Sequence, residues 1–260
     1  MAGGEAIIRV EELTVRYGDR LILDRISFEV FRGEILAILG GSGAGKSTLL
    51  KHMIGLYRPE GGRILLAGDD ITTAEGELRR HILRRFGVTY QSGALFGSMT
   101  LLENVCLALE EFTDLPREAR RLVGRMKLNL VGLEGFEHAL PAEISGGMNK
   151  RAAIARAMVL DPEILFLDEP SAGLDPITSA SLDELIKSLA ASLGVTFVVV
   201  THELPSIFTI ADRALMLDAR SKGIAASGPP GDLRDHSQDP FVRAFFHRES
   251  WSESAQEASA

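Results

Sequence analysis

The sequence is nearly without cysteine: Cys106 stands alone among 260 residues. No internal disulfide can form, which suits a reducing compartment such as the cytoplasm, and the lone thiol is read as a small core residue. Long apolar runs are also missing. The longest, "ILAIL" (35–39) and "VTFVVV" (195–200), fall far short of the roughly 18–20 residues that a spanning helix needs. Residues 1–5 have no basic start and no apolar stretch follows, so neither a leader nor a membrane span is expected. Any membrane role must then come through a partner. Basic charge is short as well: 28 Lys and Arg against 36 Asp and Glu give a net charge of −8. That sign argues against a nucleic-acid partner and against resting directly on anionic lipid.

Apolar residues are plentiful at 45%, enough for one large domain or a core domain with a subdomain. "IIRVEELTVRY" (7–17) and "RISFEV" (25–30) alternate apolar and polar residues, the period of half-buried strands in a β-rich edge. "GEILAIL" (33–39) is continuous instead and suits a strand buried on both faces. It runs into glycines and then "KSTLLKHMIGL", which reads as a helix. "EILFL" (163–167) and "VTFVVV" are strands of the same buried type. They end at Asp168-Glu169 and at Thr201-His202. Three buried strands thus deliver chemically capable residues at their carboxyl ends, the edge where open α/β sheets bind ligands. Between about residues 92 and 160 strand signals vanish, and "LLENVCLALEEF", "PREARRLVGRMKLNLVGL" and "GGMNKRAAIARAMVL" read as helices of an inserted subdomain. The small, polar stretch at 250–260 is expected to be disordered.

"GGSGAGKST" (40–48) fits the phosphate-loop pattern, with Gly40, Gly45, Lys46 and Ser47 in the required places and Gly41, Ser42, Gly43, Ala44 and Thr48 completing the loop. Glycines let the backbone wrap a phosphate closely and turn its N–H groups inward. Lys46 supplies a point charge to the β- and γ-phosphates, the Ser47 hydroxyl can ligate Mg²⁺, and the following helix adds its positive end. The loop alone fits a small-molecule kinase or a GTPase equally well. "ILFLDEP" (164–170) narrows the choice: Asp168 can hold Mg²⁺ through water, and Glu169 is placed to polarise an attacking water as general base. A kinase has no use for a carboxylate activating water there.

With these motifs in order, the chain resembles the nucleotide-binding domain of ABC transporters from about Val10 to Gly228. The resemblance implies a P-loop NTPase (RecA-like) α/β core with an antiparallel β subdomain and an inserted α-helical subdomain. It places the domain at residues 5–230 and leaves 231–260 as a C-terminal extension. "ISGGM" (144–148) resembles the family's signature motif, with Met148 where glutamine is usual. Ser145, Gly146 and Gly147 open a helix, so a hydroxyl, bare N–H groups and the dipole can face an anion. Taken alone, that is an ordinary helix cap. In the family it meets the γ-phosphate held by the opposite subunit, so a single copy of each motif implies a homodimer closing on two ATP molecules. By the same resemblance Tyr17 stacks on adenine, with a plain strand aromatic as the alternative. Gln91 is the glutamine that senses Mg²⁺ and γ-phosphate and couples them to a transmembrane partner. Asp175 bridges the dimer and His202 contacts the γ-phosphate.

Met148, "SGALFGSMTLLENV" (92–105) and "GVTFVVVTHELPSIFTIADR" (194–213) are similar to the ATPases of Mla-type and related Mce-linked phospholipid transporters of Gram-negative bacteria. That resemblance implies an integral-membrane permease, a periplasmic lipid-binding component and a small accessory subunit as partners. It also implies a seat on the cytoplasmic side of the inner membrane. Rival readings are the ATPase of another ABC importer, a soluble ABC ATPase acting on ribosomes or DNA, and an ATP-binding module without turnover. The acidic charge, the single set of motifs, and the intact Glu169 and His202 weigh against the last two. "LRRHILRR" (78–85) is read as a solvated basic face or a partner contact. Phe241, Phe245 and Phe246 are read as packing on the chain's own core, with docking to a neighbour as the alternative.

Overall fold

The computed structural model describes residues 4–249; the stretch expected to be disordered lies outside them. Strands β1 (Ala6–Tyr17) and β2 (Arg20–Phe31) form an antiparallel hairpin, extended by β4 (Gly61–Leu66) and the short β5 (Asp69–Asp70) into a sheet of order β2-β1-β4-β5. A second, six-stranded sheet has the order β10-β9-β3-β8-β7-β6. It contains β3 (Ile35–Gly40), β6 (Phe86–Thr89), β7 (Ile164–Asp168), β8 (Thr196–Val200) and β9 (Arg213–Asp218), all parallel, with β10 (Gly223–Gly228) antiparallel at one edge.

The continuous apolar runs are explained by the cores on either side. Leu36 and Ile38 of β3, Val198 and Val200 of β8, and Ile164 and Phe166 of β7 face a core shared with the antiparallel sheet. Leu165, Leu167, Phe197 and Val199 point the other way, into a core built with the helices. Side chains alternate faces along a strand, so a strand buried on both faces must be apolar at every position. The antiparallel strands bury only one face in full, hence their period of two.

The helices α1 (Lys46–Met53) and α2 (Gly76–Arg84) precede the helical region. That region comprises α3 (Leu101–Phe112), α4 (Arg117–Leu130) and α5 (Gly146–Ala157), and no strand among the described residues lies between Thr89 and Ile164. Thr100 starts α3 with a capping box, its hydroxyl accepting from the Glu103 amide while the Glu103 carboxylate accepts from the Thr100 amide. Helix α5 lies hard against β6: a Cβ on Gly87 would meet the Ala157 carbonyl oxygen at 2.0 Å. Helices α6 (Pro176–Leu193), α7 (Leu204–Ile210), α8 (Pro230–His236) and α9 (Pro240–His247) complete the fold.

Several expectations resolve here. Cys106 is a buried core residue. Phe246 is buried beneath β9, and Phe241 and Phe245 pack beside it, so all three serve the chain's own core. The basic run at 78–85 is solvated at Arg80, His81 and Arg84 and held at its other two cations. Arg85 is held by Glu163 and Asp69, and Arg79 donates to the Gly55 carbonyl at 2.6 Å. No helix among the described residues is long and apolar enough to cross a membrane.

Candidate nucleotide site

Parallel register builds the site. Ile38 pairs with Val200, and Val200 pairs with Asp168, so the carboxyl ends of β3, β8 and β7 are adjacent. The loop after Gly40, the residues from Thr201 to Glu203, and Asp168-Glu169 therefore emerge side by side, within about 10 Å across two strand spacings.

The loop itself is a backbone cradle. Gly40, Gly43 and Gly45 have φ of 146°, 75° and 95°, which only glycine adopts without strain. Gly40 has a second reason to be glycine, since a Cβ there would lie 2.6 Å from the Leu217 carbonyl oxygen of β9. At Gly41 and Gly43 a Cβ would meet nothing within 4 Å, so the space they face is open. Ser42 is exposed on the loop and Ala44 is buried beneath it. Gly45 caps α1, whose first residues are Lys46, Ser47 and Thr48. The Lys46 ammonium donates to the carbonyls of Gly40 at 2.7 Å and Gly41 at 3.1 Å. Burial pushes its pKa down, while Glu169 and Asp168 pull it back up.

Asp168 is the last residue of β7, and burial first, then Glu169, pushes its carboxyl above the usual range; Lys51, Lys46 and Lys150 oppose this. Glu169 donates its amide to the Val200 carbonyl at 2.8 Å and then turns into the left-handed region at φ 47°. This conformation costs a non-glycine residue roughly 1 kcal/mol. Its Oε1 lies 2.8 Å from Nδ1 of His202, and its Oε2 is buried with no partner. The histidine side chain is 59% exposed and the glutamate only 12%. Gln91, Asp168, Ala172 and Gly173 line a cleft of about 550 Å³ together with Tyr90 and Ser92.

Five of the sequence-derived residues do not line this cleft. Ser145 caps α5, its hydroxyl accepting from the Met148 amide at 3.2 Å, with Gly146 exposed beside it; Gly147 is tight against Thr178. Asp175 caps α6, accepting from the amides of Ile177 and Thr178 at 3.0 and 3.1 Å. Its hydrogen bonds to Thr178 hold its carboxyl below the usual range. Tyr17, at the end of β1, is half exposed and meets Tyr57 edge-on at 6.4 Å between ring centroids. Sequence reasoning missed Tyr57, which extends this aromatic shelf. It also missed Lys150, whose ammonium reaches the backbone of both Gln91 and Glu169. Neither carries a local signal: Tyr57 lies in a turn, and Lys150 looks like any charged residue in a helix.

Comparison with known proteins agrees with this geometry. The ABC transporter family model matches residues 23–172, more than half of the chain. The chain is 41% identical over 244 residues to the intermembrane phospholipid transport system ATP-binding protein MlaF of Haemophilus influenzae, covering 94% of this chain and 91% of that one. It is 42% identical over 240 residues to the probable ribonucleotide transport ATP-binding protein mkl of Mycobacterium leprae, covering 92% and 68%. Among solved structures, a dimeric post-hydrolysis state of the ATP-binding cassette MJ0796 bound to ADP and Pi superposes with a TM-score of 0.76 at 29% identity, covering 85% of this chain and 98% of that one. The chain belongs to the ABC transporter family, of which it is an ATPase cassette.

Proposed function

We propose that this chain is the ATP-hydrolysing motor of a phospholipid transporter, working as a pair of copies beneath an integral-membrane permease. The observation that carries the hydrolytic part is the Glu169 carboxylate, tied by His202 at one oxygen and bare at the other, beside a phosphate loop. In this reading the amides of Gly41 to Thr48 and the Lys46 ammonium bind the phosphates. Glu169 takes the proton of the attacking water. His202 holds that carboxylate in place and reaches the γ-phosphate, and Tyr17 stacks on the adenine. Ser145 to Gly147 face the nucleotide of the second copy, and Asp175 combines its capping role with a contact across the pair.

The donor set fits Mg²⁺. Ser47, Asp168 and Gln91 offer hard oxygen atoms, and the buried Asp168 carboxyl beside Glu169 lacks a compensating cation strong enough to keep its pKa from rising. The ion, when bound, neutralises charge on the transferred phosphate.

Similarity to the MlaF relative, named for intermembrane phospholipid transport, supports the phospholipid cargo; the same reading takes in a seat on the cytoplasmic face of the inner membrane, a periplasmic lipid-binding component and a small accessory subunit. The permease is assigned to an apolar groove of about 360 Å³ between the α2–β6 edge and α3, lined by Leu83, Phe86, Phe96, Leu107 and Phe112. Phe96 is 51% exposed there, an apolar surface that gains by being covered. The mkl relative, named for ribonucleotide transport, makes that cargo the competing assignment. Detergent extraction separates the possibilities: the chain should come out bound to a multi-span permease, and phospholipid should stimulate ATPase of the reconstituted complex. Stimulation by ribonucleotides alone sinks the lipid assignment, and recovery without any membrane protein sinks the motor.

A further inference from the structure

Helix α5 carries two cations that grip the backbone of the loop after β6. Lys150 donates to the Gln91 carbonyl at 2.5 Å and also to the Glu169 carbonyl at 3.2 Å. Arg156 donates to the Ala94 carbonyl at 2.7 Å and the Gly93 carbonyl at 3.0 Å. Gly93 and Ala94 are both left-handed, at φ 74° and 49°. For Ala94 that conformation persists only where its surroundings over-determine it. Lys150 is partly buried and, among the described residues, its side chain alone joins the Gln91 loop to the Glu169 backbone directly. The same helix ends outward at Ser145.

We propose that Lys150 is a positioning residue. It fixes the backbone of Gln91 and Glu169 against α5, so the setting of this chain's own hydrolytic carboxylate depends on the helix whose tip faces the second copy's nucleotide. The inference rests on the reading of Glu169 as base and of Ser145 to Gly147 as facing the partner. A point charge with three donors can serve both carbonyls at once, and free solvation of the ammonium would leave the Gln91 and Glu169 carbonyls without this shared donor. Loss of the ammonium should leave the phosphate loop whole, because the Lys150 hydrogen bonds go to Gln91 and Glu169 and to none of residues 40–48.

The test compares Lys150→Met and Lys150→Arg in the full chain. Lys150→Met should lower kcat roughly tenfold or more while the dissociation constant for ATP stays within about twofold. Amides of residues 91–94 should exchange faster with solvent, and Lys150→Arg, which keeps charge and donors, should recover most of the rate. Retained kcat in Lys150→Met, a parallel loss of ATP affinity, or loss of the cooperative melting transition overturns the proposal. Glu169→Gln is run beside them. If that variant turns over ATP normally the base assignment has failed, whereas an inactive Glu169→Gln with a fully active Lys150→Met refutes the Lys150 inference alone.

Discussion

Nδ1 of His202 stands 2.8 Å from Oε1 of Glu169, and the other carboxylate oxygen is left buried and unpartnered. The two residues meet because β7 and β8 are neighbours in register, with Asp168 opposite Val200. A buried acceptor without a donor costs about 1–3 kcal/mol.

Glu169→Gln keeps the shape and removes the basicity. Turnover should fall by about 10²–10⁴, with ATP still bound and two copies still closed around it, as measured by phosphate release, nucleotide retention and gel filtration. Lys46→Ala, which strips charge from the loop, should weaken binding and hydrolysis together. An active Glu169→Gln would falsify the assignment of the base.

Gly40 and Gly41 are neighbours with different obligations. Gly40→Ala drives a methyl into the Leu217 carbonyl and so presses β3 away from β9. It should cost about 1–3 kcal/mol of stability. Gly41→Ala meets no protein atom; it should melt where the parent does and lose nucleotide affinity. Thermal melts with and without ATP check both, and equal destabilisation of the two variants contradicts this division.

Asp183 of α6 is 4% exposed, and burial pushes its carboxyl up, with a hydrogen bond from Ser206 opposing and nearby Glu203 reinforcing the shift. The folded chain therefore holds this proton more tightly than the unfolded chain does. The resulting stabilisation is present in acid and is lost as pH rises through the folded value. Asp183→Asn lacks that loss. Its melting temperature should gain on the parent's as pH rises from the ordinary aspartate range to neutrality, and a gap independent of pH would refute the argument.

The legible parts of this molecule are those where chemistry is written locally. The phosphate loop, the Asp168-Glu169 pair and helix α3, whose bounds match "LLENVCLALEEF", needed no long-range information. Strand β6 escaped notice because "FGVT" is four residues long and contains Gly87, present only because α5 leaves no room for a methyl. Strand β9 was hidden in the same way, its "RALMLD" resembling any short apolar run. The partners of Lys150 lie 59 and 19 positions away in sequence. Contacts at that range depend on how α5 crosses the sheet, which no local pattern encodes. A dimer contact at Asp175 is expected from resemblance alone, while its capping of α6 follows from the Asp-Pro pair at the helix start.

The left-handed backbone at Glu169 sets durability against work at one position. Glycine would sit there without tension, and so any selection for heat tolerance on this chain alone will tend to discard the proposed base. The rate at which such variants arise reports how much strain the fold tolerates in order to keep a carboxylate at that turn.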